Sequence, residues 1–254
     1  MTGVHLLDVR ERLQTLGAAE AADALRKLGI AHVVMHNLHL FGEVTGPVVG
    51  RARTLRYLPH REDAADAPNG PVNRQLYDTI DAGDVLVLDC MGLTAYAALG
   101  DMMYSRLISR GVRAIVVDGA VRDIAVAIQK TFPVFARGQS PQPYFGEMRP
   151  WEADGDIQCC GVLVRAGDWI VGDTDGVVVV PERLVFDVVE LAESKRLHDQ
   201  FSQALLAAGF GLDDAYPLAP HMNPFLLRYM EDQILPMQEE VDAARMAASR
   251  MPHL

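Results

Sequence analysis

The chain has 254 residues, of which 50% are hydrophobic and 22% are charged, so it is long enough for one large domain with a buried core. Its formal net charge of -11 argues against nucleic acid or an anionic membrane as a main partner, since both require a basic surface. No apolar run is long enough to span a membrane, residues 1–12 lack the apolar region of a signal peptide, and Cys90, Cys159 and Cys160 lack metal-type spacing. We therefore expect a cytoplasmic protein with buried free thiols.

Hydrophobic periodicity and turn residues predict helices and strands that alternate through most of the chain. Helices are expected at residues 9–28, 76–80, 94–99, 101–110, 124–130 and 182–206, with one more within 223–251. Strands are expected at residues 31–40, 44–58, 85–89, 114–118, 133–136, 159–165, 169–171 and 177–180, and loops at 60–71 and 139–156. This order predicts a layered α/β domain at residues 1–205 and a C-terminal helical extension at 206–254, which either covers the same core or wraps a neighbouring subunit.

Three histidines in the segment 31–40 have a spacing that would suit a metal only on a helix. They are His32, His36 and His39, four and three residues apart. The neighbouring Val33, Val34 and Met35 favour a strand, which would separate the imidazoles. A metal site of these histidines is therefore the less favoured interpretation.

The start of the helix predicted at 101–110 is a candidate site for a carboxylate. Asp101 follows Gly100, and the backbone N–H groups of Met102 and Met103 are expected to be unpaired donors of the first turn. Taken alone, Asp101 is better explained as an ordinary acidic residue of the first turn that complements the helix dipole.

A second helix start follows the apolar run at 114–117 and carries Arg122 and Asp123. An arginine can pair with a carboxylate or stabilise an enolate oxygen, and an aspartate is a hard ligand suited to Mg²⁺. A structural salt bridge and a helix N-cap are the corresponding alternatives. The combination is more specific, because residues 102–121 separate Asp101 from Arg122 and adjacent parallel strands would bring both helix starts to one edge of a sheet.

Five phrases of the sequence resemble the family of 4-hydroxy-4-methyl-2-oxoglutarate aldolases and regulators of ribonuclease activity A. They are GDVLV at 83–87, GDMM at 100–103, VVDGAVRD at 116–123, FPVFARG at 132–138 and GDTDGVVVVP at 172–181. The resemblance spans about residues 13–200, and the complete Asp-x20-Arg-Asp pattern is that of the class II pyruvate aldolase branch. It implies an α/β/β sandwich of the swivelling-domain type, assembled as a trimer or a dimer of trimers, with a divalent cation (Mg²⁺, or another such as Mn²⁺) in a cleft between subunits.

The resemblance also implies a role for each residue of the motif. Asp123 would ligate the metal, Arg122 would hold the pyruvyl oxygen and stabilise the enolate, and Asp101 would orient a water for proton transfer. Gly100 and the amides of Met102 and Met103 would bind the substrate carboxylate. The family usually has Gly-Glu-Leu-Leu at this helix start, so the substitution predicts a methionine-lined pocket. Glu193 is the nearest candidate by position for the carboxylate that a neighbouring subunit supplies, but no motif identifies it, and a solvated glutamate on a helix face is the favoured interpretation.

These residues predict a lyase that releases a pyruvate enolate from a 2-oxo acid by aldol cleavage of a 4-hydroxy-4-methyl-2-oxoglutarate-type substrate, with decarboxylation of oxaloacetate as a second activity. Two alternatives remain open. One is a non-catalytic regulator that binds ribonuclease E, and the other is a divergent 2-oxo acid decarboxylase or hydro-lyase.

Overall fold

The computed structural model describes residues 9–63 and 71–249, and these form a mixed α/β domain followed by helices. Three segments with predictions lie partly outside the described residues. They are the N-terminal segment 1–12, the loop expected at 60–71 and the helix pattern at 223–251. Within the described part, no helix is long and apolar enough to cross a membrane. The chain divides into two compact units, residues 1–189 and 190–254.

The strands of the first unit form one large sheet and one small hairpin. The strands are β1 (Val34–Met35), β2 (His39–Phe41), β3 (Val48–Pro59), β4 (Val85–Ala97), β5 (Ala114–Val121), β6 (Val134–Gln139), β7 (Met148–Ala153), β8 (Ile157–Cys159), β9 (Val162–Val164), β10 (Trp169–Asp173) and β11 (Gly176–Val180). The large sheet has the order β1-β11-β10-β3-β4-β5-β6-β2, with β7 added to β3, and β8 pairs with β9. Strands β3 to β6 are parallel and the remaining pairings are antiparallel.

The helices of the chain follow in order. They are α1 (Ala18–Lys27), α2 (Val72–Thr79), α3 (Asp101–Ser109), α4 (Ile124–Gln129), α5 (Val185–Ala207), α6 (Leu212–Ala215), α7 (Asn223–Asp232) and α8 (Gln238–Ser249), with short 3₁₀ turns at Glu182–Leu184 and Pro220–Met222. Residues 9–13 are also helical.

Strand β5 shows why the domain has three layers. All eight of its residues are buried, as expected for a central parallel strand covered on both faces. Ile115 and Val117 pack with residues of α2, α3 and α4 on one face, and Ala114 and Val116 pack with the β8–β9 hairpin on the other. Helices, large sheet and hairpin therefore form the predicted α/β/β sandwich, and the fold class is confirmed.

Several predicted boundaries in the first unit were wrong, for identifiable reasons. The helix expected at 9–28 is interrupted before Gly17, whose N–H is capped by Glu20 at 2.8 Å. The helix expected at 94–99 is instead part of β4, which continues past a bulge at Met91 and Gly92, both with positive φ, and pairs Ala97 with Ala120. Segment 139–156 contains β7, because its polar residues form an edge of the sheet rather than a loop.

The strand expected at 159–165 is a hairpin. Cys160 and Gly161 both have positive φ and form its two-residue turn. The β-meander expected from 169 to 180 is present in β10 and β11. The three cysteines are free and buried, as expected.

The second unit has its own hydrophobic cluster within helices α5 to α8. Its buried members are Phe201, Leu205, Ala215, Met222, Leu226 and Val241. Helix α5 crosses the division between the units, so the structure divides the chain earlier than the predicted boundary at 205/206. The single helix expected within 223–251 is two helices, because Gln233 adopts a left-handed conformation that ends α7.

Candidate active site

The candidate site lies at the carboxyl ends of the parallel strands β4 and β5, where helices α3 and α4 begin. Their register continues beyond the strands, since Ala98 N–H donates to Ala120 O at 2.9 Å and Arg122 N–H donates to Leu99 O at 3.1 Å. Gly100 and Arg122 are therefore held side by side. The carboxyl ends of parallel strands are a usual ligand-binding edge in α/β proteins, and the two halves of the Asp-x20-Arg-Asp pattern meet here.

Asp123 occupies the N-cap position of α4 but does not cap it. Its backbone is left-handed, with φ 54° and ψ 33°, and its side chain makes no capping hydrogen bond. Instead Oδ2 lies 3.3 Å from Arg122 Nε and 3.4 Å from the Asp101 amide nitrogen. A non-glycine residue in this region of φ/ψ space is uncommon, and such residues concentrate at functional sites. The N-cap alternative therefore does not account for the carboxylate.

Gly100 makes room for the Asp123 carboxylate. A Cβ atom at Gly100 would lie 2.5 Å from Asp123 Oδ2 and 2.9 Å from Arg122 Cγ. Real Cβ atoms do not approach polar atoms so closely, so a larger residue would push Asp123 or Arg122 away. The glycine thus has a steric role in the site, which its placement beside Asp101 in the sequence did not reveal.

The two amides expected to be free donors are already engaged. Met102 N–H donates to Asp101 Oδ1 at 2.7 Å, and Met103 N–H donates to Gly100 O at 3.0 Å. The expectation of unpaired donors was wrong because the first turn of α3 closes a tight bond and the Asp101 side chain folds back onto its neighbour.

Arg122 is held by its backbone while its guanidinium remains accessible. Its carbonyl oxygen accepts a hydrogen bond from Tyr104 Oη at 2.8 Å. Burial, with a further contribution from Asp123, raises the pKa of Tyr104, so its hydroxyl stays a donor. The Arg122 side chain is 39% exposed, and within the described residues its ion pair is with Asp123. Because that pair is half exposed and uses only Nε, it is weak evidence for a purely structural arginine.

A cleft of about 170 Å³ adjoins Asp101 and Arg122, whereas Asp123 and Arg122 line a second cavity of about 340 Å³. The cleft is lined by Ala97 to Met103 and Arg122, and also by residues that the sequence analysis did not assign to the site: Asn73, Arg74, Tyr77, Pro143, Tyr144 and Phe145. Helix α2 begins after Pro71, four residues earlier than predicted, and this brings Asn73 and Arg74 to the cleft. Proline just before a helix is a start signal that could have located them.

The Asp123 carboxylate has the properties of a ligand for a divalent cation. Asp123 is 42% exposed, and among residues 9–63 and 71–249 its Oδ1 has no hydrogen-bond or ion-pair partner. Those same residues contain no group of three or more His, Cys, Asp or Glu side chains arranged to hold a metal, and His32, His36 and His39 lie on different segments. Mg²⁺ commonly uses one or two protein carboxylates and keeps several waters. An accessible carboxylate with a free oxygen fits that requirement.

A separate buried polar cluster stabilises strand β5 before it reaches the site. The Asp118 carboxylate, 1% exposed, accepts hydrogen bonds from Arg137 Nε, from Gln158 Nε2 at 2.8 Å and from Cys160 N–H at 3.0 Å. Burial opposes its ionisation, but the bonds from Arg137, Cys160 and Gln158 prevail and lower the pKa of Asp118. This carboxylate joins the hairpin β8–β9 to the sheet and belongs to the core rather than to the cleft.

Comparison with known proteins identifies relatives of the chain. The model of the RraA-like family, described as Aldolase/RraA, matches residues 18–179. A protein of Halalkalibacterium halodurans named "Putative 4-hydroxy-4-methyl-2-oxoglutarate aldolase" is 35% identical over 157 residues, which are 60% of this chain and 69% of that protein.

Two solved structures share the fold. An uncharacterised protein from Pseudomonas syringae pv. tomato superposes with a TM-score of 0.75 at 26% identity, covering 83% of this chain and 93% of its own. Streptomyces coelicolor RraAS2, described as an unusual member of the RNase ES inhibitor RraA protein family, has a TM-score of 0.71 at 30% identity and covers 77% and 96% of the two chains.

Proposed function

The chain belongs to the RraA-like family, Aldolase/RraA, and on that premise we propose that it is a divalent-metal-dependent lyase that cleaves a 2-oxo acid through a pyruvate enolate. The observation that carries the proposal is the meeting of Asp101, Arg122 and Asp123 at two neighbouring helix starts, with Asp101 and Arg122 in the lining of the cleft. The names of the aldolase relatives support a lyase at a coarse level.

Each residue has a distinct part in the proposed reaction. Asp123 would hold the cation through its free oxygen, and a bound divalent cation would act as a Lewis acid toward the 2-oxo and carboxylate oxygens. The Met102 amide at the start of α3 would bind the substrate carboxylate in place of Asp101 Oδ1, which would free the Asp101 side chain, whereas the Met103 amide stays bonded to Gly100 O within the first turn. The Arg122 guanidinium would stabilise the negative charge that develops on the enolate oxygen, which is commonly the largest catalytic contribution in such sites.

The bond changes follow from the substrate. In 4-hydroxy-4-methyl-2-oxoglutarate, the C4 hydroxyl loses its proton as the C3–C4 bond breaks, and C4 becomes the carbonyl carbon of one pyruvate. The electron pair of the broken bond remains as the enolate of C2 and C3, and protonation at C3 yields a second pyruvate. In oxaloacetate the same bond breaks with loss of CO₂. Asp101, released from the Met102 amide, would accept the hydroxyl proton through a water and return it to C3.

We further propose that the enzyme works as a homotrimer or a dimer of trimers with the site between subunits. The accessible Asp123 carboxylate supports this arrangement, because a carboxylate from a second subunit could reach it from the solvent side. Light scattering coupled to size-exclusion chromatography measures the assembly directly; a monomer that is fully active would contradict it.

The decisive test is pyruvate release from 4-hydroxy-4-methyl-2-oxoglutarate and from oxaloacetate, with Mg²⁺ or Mn²⁺ and with a chelator. After subtraction of the rate measured without protein under the same conditions, we expect both substrates to release pyruvate with the metal and neither to do so with the chelator. Absence of metal-dependent turnover of either substrate would overturn the lyase.

The likeness to RraAS2 favours a second candidate, a regulator that binds ribonuclease E. Such a role does not require Arg122 or Asp123, so the two candidates separate cleanly. Inhibition of ribonuclease E cleavage by both the wild-type protein and an Arg122→Ala variant, without turnover of 2-oxo acids, would favour the regulator. A divergent 2-oxo acid decarboxylase or hydro-lyase would instead show turnover of one substrate class only.

A further inference from the structure

We propose that Arg74, assisted by Asn73 and Tyr144, forms a subsite for the part of the substrate beyond C3, which leaves as the carbonyl product. Arg74 selects substrates that carry a second carboxylate in that part. The inference rests on the proposed lyase function, which it deepens by naming the residue that discriminates between substrates.

The position of these residues in the cleft is the first argument. Asn73, Arg74 and Tyr144 line the same 170 Å³ cleft as Arg122 and the first turn of α3. If the 2-oxo carboxylate half binds to Arg122 and the start of α3, the rest of the substrate must point toward another part of this lining. The remaining wall includes Ala97, Ala98, Pro143 and Phe145, which are apolar. Arg74 is therefore the cation of the lining besides Arg122.

Local structure does not explain the charge of Arg74. Among the described residues no carboxylate pairs with its guanidinium, in a chain whose net charge is -11. The side chain also lies in the first turn of α2, where the helix dipole disfavours a positive charge and where the sequence provides no acidic residue. An exposed arginine at an unfavourable helix position, with no carboxylate partner in the part of the chain that the structure describes, is available for an anionic ligand.

The neighbours of Arg74 add hydrogen-bonding capacity. Asn73 Nδ2 donates to Tyr144 Oη at 3.3 Å, and Arg74 lies close enough to the Tyr144 hydroxyl to favour its ionisation, although burial outweighs this and the pKa of Tyr144 is raised. The hydroxyl therefore remains neutral and can donate. Tyr77 also lines the cleft, and its buried hydroxyl lies beside that of Tyr57, although neither hydroxyl makes a well-formed hydrogen bond among the described residues. Polar groups of this kind suit the oxygens of a departing glyoxylate or pyruvate.

The cleft also leaves room for different lengths of substrate. A neighbouring cavity of about 510 Å³ shares Asn73, Arg74, Tyr144 and Phe145 with it. Arg74 lines both the cleft and this cavity. We therefore expect Arg74 to select substrates by their charge rather than by their size.

Two matched substrates test the inference. 4-Hydroxy-2-oxoglutarate and 4-hydroxy-2-oxopentanoate differ by a carboxylate in place of a methyl group, and both give pyruvate on cleavage. We expect Arg74→Gln to lower the ratio of their kcat/KM values, dicarboxylate over monocarboxylate, by about tenfold or more, the size expected for a charged hydrogen bond at a partly exposed site. Arg74→Lys should retain an intermediate ratio because it keeps the charge but not the fork of donors.

The controls separate this inference from the function on which it rests. Arg106 pairs with Asp78 outside the cleft lining, at 2.8 Å, so Arg106→Gln should leave the ratio unchanged. Exchange of pyruvate C3 protons with D₂O by the wild-type enzyme reports enolate formation without a departing group. If exchange is absent, the proposed function fails and the subsite falls with it. If exchange occurs but Arg74→Gln lowers both kcat/KM values equally, or neither, Arg74 is not a specificity residue.

Discussion

The backbone nitrogen of Asp101 lies 3.4 Å from Oδ2 of Asp123, although 22 positions separate the two residues. This contact joins the starts of α3 and α4, and Gly100 is the residue that permits it. The proposed chemistry depends on this contact between the starts of α3 and α4. The most informative variants therefore change one charge or one small group there.

Asp123→Asn should abolish metal-dependent activity while preserving the fold. Asparagine tolerates the left-handed backbone of this position, so we expect its free energy of unfolding to stay within about 1 kcal/mol of the wild type. Asp123→Ala should lose activity as well. Its free energy of unfolding should be lower than that of Asp123→Asn by about 1 kcal/mol, because the left-handed backbone conformation is less favourable for alanine than for asparagine. Urea denaturation and calorimetric Mg²⁺ titration measure the two effects; tight Mg²⁺ binding by Asp123→Asn would contradict the assignment.

Arg122→Ala should lower kcat by about 10²- to 10³-fold, the usual cost of removing a group that stabilises transition-state charge. Arg122→Lys should recover part of the rate, since it keeps the charge. A suitable control is Arg113→Ala, because Arg113 directly precedes the opposite end of β5. Steady-state pyruvate release with saturating Mg²⁺ gives kcat, and equal rates for the Arg122→Ala variant and the wild type would remove Arg122 from the mechanism.

Gly100→Ala should lower activity by about 10²-fold through displacement of Asp123 and Arg122 rather than through loss of a functional group. The backbone of Gly100 is extended, with φ -152°, so alanine adopts it without strain and the cost arises from the 2.5 Å contact. Gly46→Ala is the matched control, because no atom lies within 4 Å of a Cβ atom at that position. Similar activity in both variants would contradict the prediction, because it would show that a methyl group at position 100 does not displace Asp123 and Arg122.

Asp118→Asn should destabilise the domain by about 3 kcal/mol or more at pH 7, because it leaves Arg137 without its buried partner. The pKa of Asp118 is lowered in the folded state, so its ionised form contributes stability above its ordinary pKa near 3.8. That contribution is lost as pH falls below 3.8 through the folded-state pKa.

The difference in unfolding free energy between wild type and Asp118→Asn should therefore be constant from pH 7 to about pH 5 and decrease below about pH 4. Urea denaturation at a series of pH values measures it. A difference that grows on acidification would mean that Asp118 is held protonated in the fold.

The sequence by itself determined the fold class, the order of most elements and the edge of the sheet where the candidate residues meet. These properties depend on local periodicity, on glycine positions such as Gly29 and Gly111, and on the rule that parallel strands end at a common edge. The spacing of Asp101 and Arg122 therefore predicted from the sequence that the two residues meet at one edge of the sheet.

Only the tertiary structure decided which atoms meet at that edge. The bulge that carries β4 through Ala97, the left-handed Asp123 and the steric role of Gly100 all depend on neighbours distant in sequence. The same holds for the engaged Met102 and Met103 amides and for Arg74, which reaches the cleft because α2 starts at Val72. Local propensity specifies what each segment can form, whereas packing between segments selects the conformation and places the side chains.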